Sequence, residues 1–272
     1  MKGFINVGNT CYFNSALQCV LQVPPLSNLL IFKNYQGNCA FTLEYQNLVR
    51  FYWQDKTTLL YNPSKLLSIF RQKYKQFDNS QQHDSQESFF CILEILEKSL
   101  GDVVKQIFYG ETIQETVCKT GKTTRREPFT VNMLTIDQHD IDLENMIHKT
   151  QKWTGVEDYE DSAGKVWSLA ATRTVFWQAP RILMFSFPLR QKVILKDELS
   201  LKNFLHPDSK ITFEPEYELF AMCHHHGNPN GGHYNAYTKH KGQWFLKDDD
   251  VVKAIDDCPL TAHHYLVFYK LK

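Results

Sequence analysis

The chain contains no C-x-x-C pair. Its seven cysteines (Cys11, Cys19, Cys39, Cys91, Cys118, Cys223 and Cys258) are scattered and odd in number. This fits a reducing compartment better than a disulfide framework, and it argues against a structural zinc site. Only Cys118, in VCKTGK, begins such a site, and its partner position holds Gly121. There is no run of about 18 apolar residues, and MKGFINVGNTCYF has no apolar h-region, so neither a membrane span nor export is expected. The expected location is the cytoplasm or nucleus. Neither charge is in excess: 30 Lys+Arg face 30 Asp+Glu, which removes the electrostatic footprint of a nucleic-acid binder. No stretch is Pro/Gly/Ser-rich or repetitive enough for a linker, a disordered tail or a solenoid.

What is present is 272 residues, 43% of them hydrophobic and 22% charged, enough for one globular unit over 1–272 with a filled core. The first hundred residues read as helical. Thr10 stands as a cap before Phe13, Ala16, Leu17, Val20 and Leu21 at helical spacing, with Pro24-Pro25 as the stop. Further helices are expected around 42–54, 63–73 and 84–99. In the last of these, Phe89, Leu93 and Leu96 share one side with Phe90 and Ile92 near them, so both flanks pack.

From about 104 the pattern turns strand-like, in QIFYGETIQETVCK and TTRREPFTVNMLTI around a turn at Thr120-Gly121. One amphipathic helix, DLENMIHKTQKW (142–153), interrupts a series of short β candidates: VWSLAAT, RTVFW, RILMFSF, KITFEPEYELFAMC, HYNAYTK, QWFLKD and HHYLVFYKL. Helices first and strands later indicate an α+β protein.

GFINVGNTCYFNSALQCVLQ places Cys11 at a Gly/Asn/Thr-rich turn just before the first helix. A thiol attacks poorly until it is ionised, and unpaired N–H groups in a helix's first turn favour the thiolate. Asn6 and Asn9 are both short amides able to donate to an oxyanion, and Gly8 permits unusual backbone angles. The alternative is an ordinary half-buried helix cysteine. A nucleophile needs a base, and His233 in NPNGGHYNAY is the candidate, with Gly231 and Gly232 leaving room for a bound chain. Fifteen residues on, WFLKDDDVV offers Asp248, Asp249 and Asp250 across a hairpin to orient the imidazole, unless that run is simply a solvated turn. Asp84 and Glu87 stand three apart before FFCILEIL, as a helix cap does.

GFINVGNTCYFNSALQCVLQ, QQHDSQESF, HHHGNPNGGHYNAY, QWFLKDDDVV and HHYLVFYKL together resemble, in order, the motifs of the ubiquitin-specific protease family of deubiquitinases. The resemblance implies a papain-like cysteine protease fold with a helical thumb (1–103), reduced β fingers (mostly 104–180) and a β-rich palm (mostly 181–272). It implies Cys11 as nucleophile, His233 as general base, Asp248 as the orienting acid with Asp249 auxiliary, and Asn6 as the oxyanion amide. Gln82, Asp84, Glu87, His225, Gly232 and Tyr234 are implied along the ubiquitin tail, whose arginines acidic walls would attract. Ubiquitin and ubiquitinated proteins are the implied partners of a monomer that needs no cofactor and no metal. Rival expectations are a protease for a ubiquitin-like modifier and a silent ubiquitin-binding module, though no triad member is missing.

The sequence also departs from the family. Two C-x-x-C pairs usual at the fingertips are replaced by CKTG and nothing, so the fingers are expected to be short and metal-free. PRILMFSFPLR carries Pro188, which cannot donate to a ladder and puts the local strand in question. The run Cys223-His224-His225-His226 alternates faces along a strand, so at most two of its members converge.

Overall fold

The computed structural model describes residues 1–119, 121–134, 142–161, 163–189, 191–228 and 231–272. Six helices occupy the N-terminal region: α1 Cys11–Leu21, α2 Pro24–Phe32, α3 Ala40–Gln54, α4 Ser64–Lys73, α5 Ser85–Leu100 and α6 Asp102–Phe108. The proline pair expected to stop α1 in fact opens α2, because a first-turn N–H has no helical partner to lose. Strand structure expected from about 104 begins only at Gly110. Gln106-Ile107-Phe108 instead close α6, whose Val104, Ile107 and Phe108 are buried at helical spacing. Every residue of α1 is buried, Asn14, Ser15 and Gln18 included, because α5 and the sheet enclose it. No single helix among the described residues is long and apolar enough to cross a membrane, and the apolar α1–α2 pair bends by 81° at its break.

The large sheet has eight strands. Along it run Val251–Ile255, Gln243–Asp248, Gly231–His240, Glu216–Asn228, His264–Leu271, Ile182–Ser186 and Val131–Met133, with Glu198–Ser200 also paired to Glu216–Asn228. Ile182 and Met184 pack into the helical core, while Leu183 and Phe185 pack into a second core on the far face. Leu266 and Phe268 alternate with Val267 and Tyr269 in the same way. Burial on both faces is why these strands read as continuous apolar runs. Helix α7, Leu143–Thr150, covers the far face with Leu143, Met146 and Ile147. Pro188 does not disturb the strand, which ends at Ser186. The strand read in KITFEPEYELFAMC starts only at Glu216, after Pro215.

A four-stranded sheet projects beyond this, in the order Gly121–Phe129, Gly110–Cys118, Ala170–Gln178, Thr154–Val156. Cys118 pairs with Gly121 at the hairpin end, and Thr120 of the expected turn lies outside the described residues. VWSLAAT supplies the short strand Val166–Trp167, paired with Tyr159–Glu160, and from Ala170 onward it runs into RTVFW as one further strand. The sheet is held by a charge cluster. Glu115, fully buried, accepts from Lys122, from Arg173 Nε at 2.5 Å and from His206 Nε2 at 3.0 Å. The Arg126 guanidinium lies 3.9 Å over the Trp177 ring, which itself packs against His206.

Burial alone would raise the Glu115 carboxyl, but hydrogen bonds from Lys122, His206 and Arg173 outweigh it and hold the group at about 2 against an ordinary 4.5. A depressed folded value means that the stabilisation is complete above 4.5 and is lost as pH falls toward 2. Glu115→Gln is therefore expected to cost about 3 kcal/mol at neutral pH, read as a fall in the thermal midpoint that shrinks as pH drops through this window. A variant melting at the wild-type temperature at pH 7 would contradict the assignment.

Candidate active site

Cys11 is the first residue of α1 and is 3% exposed. Burial pushes its thiol above the ordinary value, main-chain N–H groups of Tyr234, Tyr12 and Cys11 itself pull it back, and the nearby Asp249 carboxylate adds to the rise. The net effect is a rise, so this thiol ionises less readily than a free one. The Tyr234 amide against the sulfur belongs to the residue that follows His233, so the strand Gly231–His240 runs directly past the start of α1.

His233 Nε2 is hydrogen-bonded to Asp248 Oδ1, both side chains being partly exposed. The hairpin explains the contact: Asp248 ends the strand Gln243–Asp248, which pairs antiparallel to Gly231–His240. With Nε2 engaged, Nδ1 is the nitrogen left for the thiol. Of the other acids in the run, Asp249 turns inward at φ +50°, while Asp250 is exposed. Asp249 accepts from Asn6 Nδ2 at 2.7 Å and Asn14 Nδ2 at 2.8 Å.

Of the two loop amides weighed for the oxyanion, Asn6 lies beside this acid turn. Asn9, at φ +50°, donates instead to the Ser80 carbonyl at 2.8 Å and pins the loop to the segment before α5. Asn6 Oδ1 accepts from the Gly8 and Thr10 N–H groups at 3.0 and 3.2 Å. Thr10 does not cap α1 with its side chain: its hydroxyl accepts from Val7 N–H and donates to Asn6 Oδ1.

Across the cleft, Gly232 N–H donates to Gln82 Oε1 at 2.6 Å, joining the hairpin rim to the α5 rim. A Cβ at Gly232 would collide with the His225 ring and lie 2.6 Å from the His226 carbonyl, so glycine fits here. His225 packs on the Tyr234 ring at 4.6 Å, and Tyr234, 6% exposed, forms buried wall. Asp84 caps α5, accepting from Gln86 N–H at 2.6 Å and Glu87 N–H at 3.2 Å, and its second oxygen accepts from Tyr265 Oη. Glu87 is exposed on the first turn of α5.

Among the described residues, one trio of metal-capable side chains converges: His233, Asp248 and Asp249, with ligand atoms within 4.8 Å of one another. The Cys223–His226 run does not converge. Cys223 meets Ser85, His224 bonds His264 at 2.8 Å, and His226 meets Asn235. Sequence reasoning missed Asn14, Tyr265 and the buried Lys247, which donates to Gln18 Oε1 at 2.9 Å and to Tyr52 Oη. Only a polar residue at a core-facing position marks Asn14 in the sequence.

Because burial and the Asp249 charge both oppose ionisation, Cys11 alkylation by iodoacetamide is expected to rise with pH through a midpoint above 9.0, the ordinary thiol value. Asp249→Asn is expected to lower that midpoint. An unchanged midpoint in the variant would remove Asp249 from the local electrostatics.

A family model described as ubiquitin carboxyl-terminal hydrolase matches residues 2–269. The chain is 25% identical over 92% of its length to Ubiquitin carboxyl-terminal hydrolase 25 of Arabidopsis thaliana, and 22% identical over 99% to Probable ubiquitin carboxyl-terminal hydrolase 8 of Schizosaccharomyces pombe. It spans 44% and 64% of those two relatives. It also superposes along its whole length, with a TM-score of 0.87 and 21% identity, on 69% of a chain in the SAGA DUB module Ubp8/Sgf11/Sus1/Sgf73 bound to monoubiquitin. The same module bound to ubiquitin aldehyde matches equally, with 70% of that chain covered. The α+β, papain-like fold expected from the sequence is the one observed, and with the family model running from residue 2 to residue 269 the chain belongs to the ubiquitin carboxyl-terminal hydrolase family.

Proposed function

We propose that this chain is a thiol-dependent deubiquitinase that hydrolyses isopeptide or peptide bonds after the C-terminal glycine of ubiquitin. One observation carries this: Cys11 opens α1, the strand that carries His233 packs against α1, and His233 is hydrogen-bonded to the strand-end Asp248. Further support comes from the family match and from the ubiquitin bound in the DUB-module structures. Residues 1–103 act as thumb, 104–180 mostly as fingers and 181–272 mostly as palm, in a protein working as a monomer in the cytoplasm or nucleus.

His233 takes the Cys11 proton and the thiolate adds to the glycine carbonyl carbon. The carbonyl electron pair moves onto oxygen, where the Asn6 amide and main-chain N–H groups at the start of α1 stabilise the oxyanion. As the intermediate collapses, the C–N bond breaks and His233 delivers its proton to the leaving amine, giving a thioester. Water deprotonated by His233 then attacks the thioester and restores the thiol. Asp248 keeps the imidazole oriented and stabilises its charged form. The tail enters where Gln82 and Gly232 meet, a passage too tight for side chains, with His225 and the main chain of Tyr234 as wall and Asp84 and Glu87 as its acidic side. Asp249 supports the acid turn.

Hydrolysis of a ubiquitin C-terminal fluorogenic amide tests the assignment. Cys11→Ala is expected to abolish turnover, Cys19→Ala to leave it unchanged, and His233→Ala to reduce it by roughly 10²–10⁴-fold. Asp248→Asn is expected to lose less, because Asp249 lies close enough to substitute. Turnover of a ubiquitin-like modifier substrate faster than ubiquitin would transfer the activity to that modifier. Full activity in both Cys11→Ala and His233→Ala would refute the mechanism.

A further inference from the structure

Asn14 lies three residues after Cys11 on α1, is 2% exposed, and would serve packing better as an apolar residue. Its Nδ2 lies 2.8 Å from Asp249 Oδ1 and 3.5 and 3.4 Å from the Phe4 and Ile5 carbonyl oxygens. All three neighbours are acceptors, which fixes the amide with its nitrogen toward them. Its Oδ1 is buried and accepts from no protein donor among the described residues. Asparagine is also a poor residue for a helix interior. Two penalties are thus accepted at one position, and what that position delivers is an N–H donor aimed at the acid turn.

The recipient is as telling. Asp249 holds a left-handed backbone, its carbonyl accepts from Phe4 N–H at 2.7 Å, and a Cβ at Gly3 would collide with Asp250, so the N-terminal strand clamps this turn. Its carboxylate opposes thiolate formation at Cys11 and so does not help ionise the nucleophile. What it does is hold two amides, one on the Cys11 helix and one on the Asn6 loop.

We propose that Asn14 is a positioning residue of this active site: by holding the Asp249 carboxylate it fixes the donor end of Asn6 and ties the helix that starts at Cys11 to the turn that carries Asp248. This rests on the catalytic assignment above. The link spans 235 positions of sequence and is direct, side chain to side chain.

The test exchanges the two groups. In Asn14→Asp two carboxylates face each other. In Asn14→Asp combined with Asp249→Asn, the new amide donates to the new carboxylate and its oxygen still accepts from Asn6. With a ubiquitin fluorogenic amide, Asn14→Thr is expected to lower kcat about 10–100-fold with KM changed less than about twofold, since positioning is lost and binding is not. Asn14→Asp is expected to lose more, and the exchange to recover at least about tenfold of that loss. Thermal midpoints, and ubiquitin affinity in a Cys11→Ala background, are measured alongside. If Asn14→Asp does not fold, Asn14→Thr with Asp249→Asn carries the test, and the double variant is expected to lose no more than the worse single one. Wild-type kcat in Asn14→Thr, an exchange no faster than folded Asn14→Asp, or multiplying losses in the double variant would overturn the proposal. An inactive wild type would instead overturn the deubiquitinase assignment and is thereby distinguished.

Discussion

The hydrogen bond between His233 and Asp248 is the constraint on which the rest of the site depends. It exists because two antiparallel strands, Gly231–His240 and Gln243–Asp248, bring residues fifteen apart in sequence to one end of the large sheet. It occupies Nε2 and so leaves Nδ1 for the base role proposed for this histidine. The strand that carries this imidazole packs against α1, which starts at Cys11. Burial in turn raises the thiol, which in the proposed mechanism gives its proton to that imidazole.

Two sets of polar contacts brace the fold, one at this site and one beyond it. Around the acid turn, a main-chain bond from Phe4 and side-chain bonds from Asn6 and Asn14 converge on Asp249. Farther out, the four-stranded sheet is braced by Glu115 with Lys122, Arg173 and His206. A buried carboxylate with three donors is stable only while all three remain, which makes that sheet acid-sensitive in a way that an apolar core is not. The Gln82–Gly232 bond joins the hairpin rim to the α5 rim.

The residues legible in the sequence were those whose chemistry is local. Cys11 stood before a helix, His233 after two glycines and Asp248 at a strand end, and each is found there. The capping role of Asp84 was likewise readable from its spacing to Glu87, and the structure shows it. Hidden were contacts made across the fold: Asn14 with Asp249, Tyr265 with Asp84, and Lys247 with Gln18. No periodicity announces a pairing 181 or 229 residues distant. Element errors had the same cause. The run around Ile107 and Phe108 suits strand or helix equally on local preference, and packing beneath α5 decided for the helix. Thr10 satisfied the rule for a helix cap, but its hydroxyl was taken by Asn6.

The most direct measurement is reaction of the protein with ubiquitin bearing a C-terminal electrophile, followed by peptide mapping of the adduct. A single adduct on Cys11 is expected, formed much more slowly when His233 is alanine. Modification of Cys19 or another cysteine, or an undiminished rate on Cys11 without His233, would contradict it.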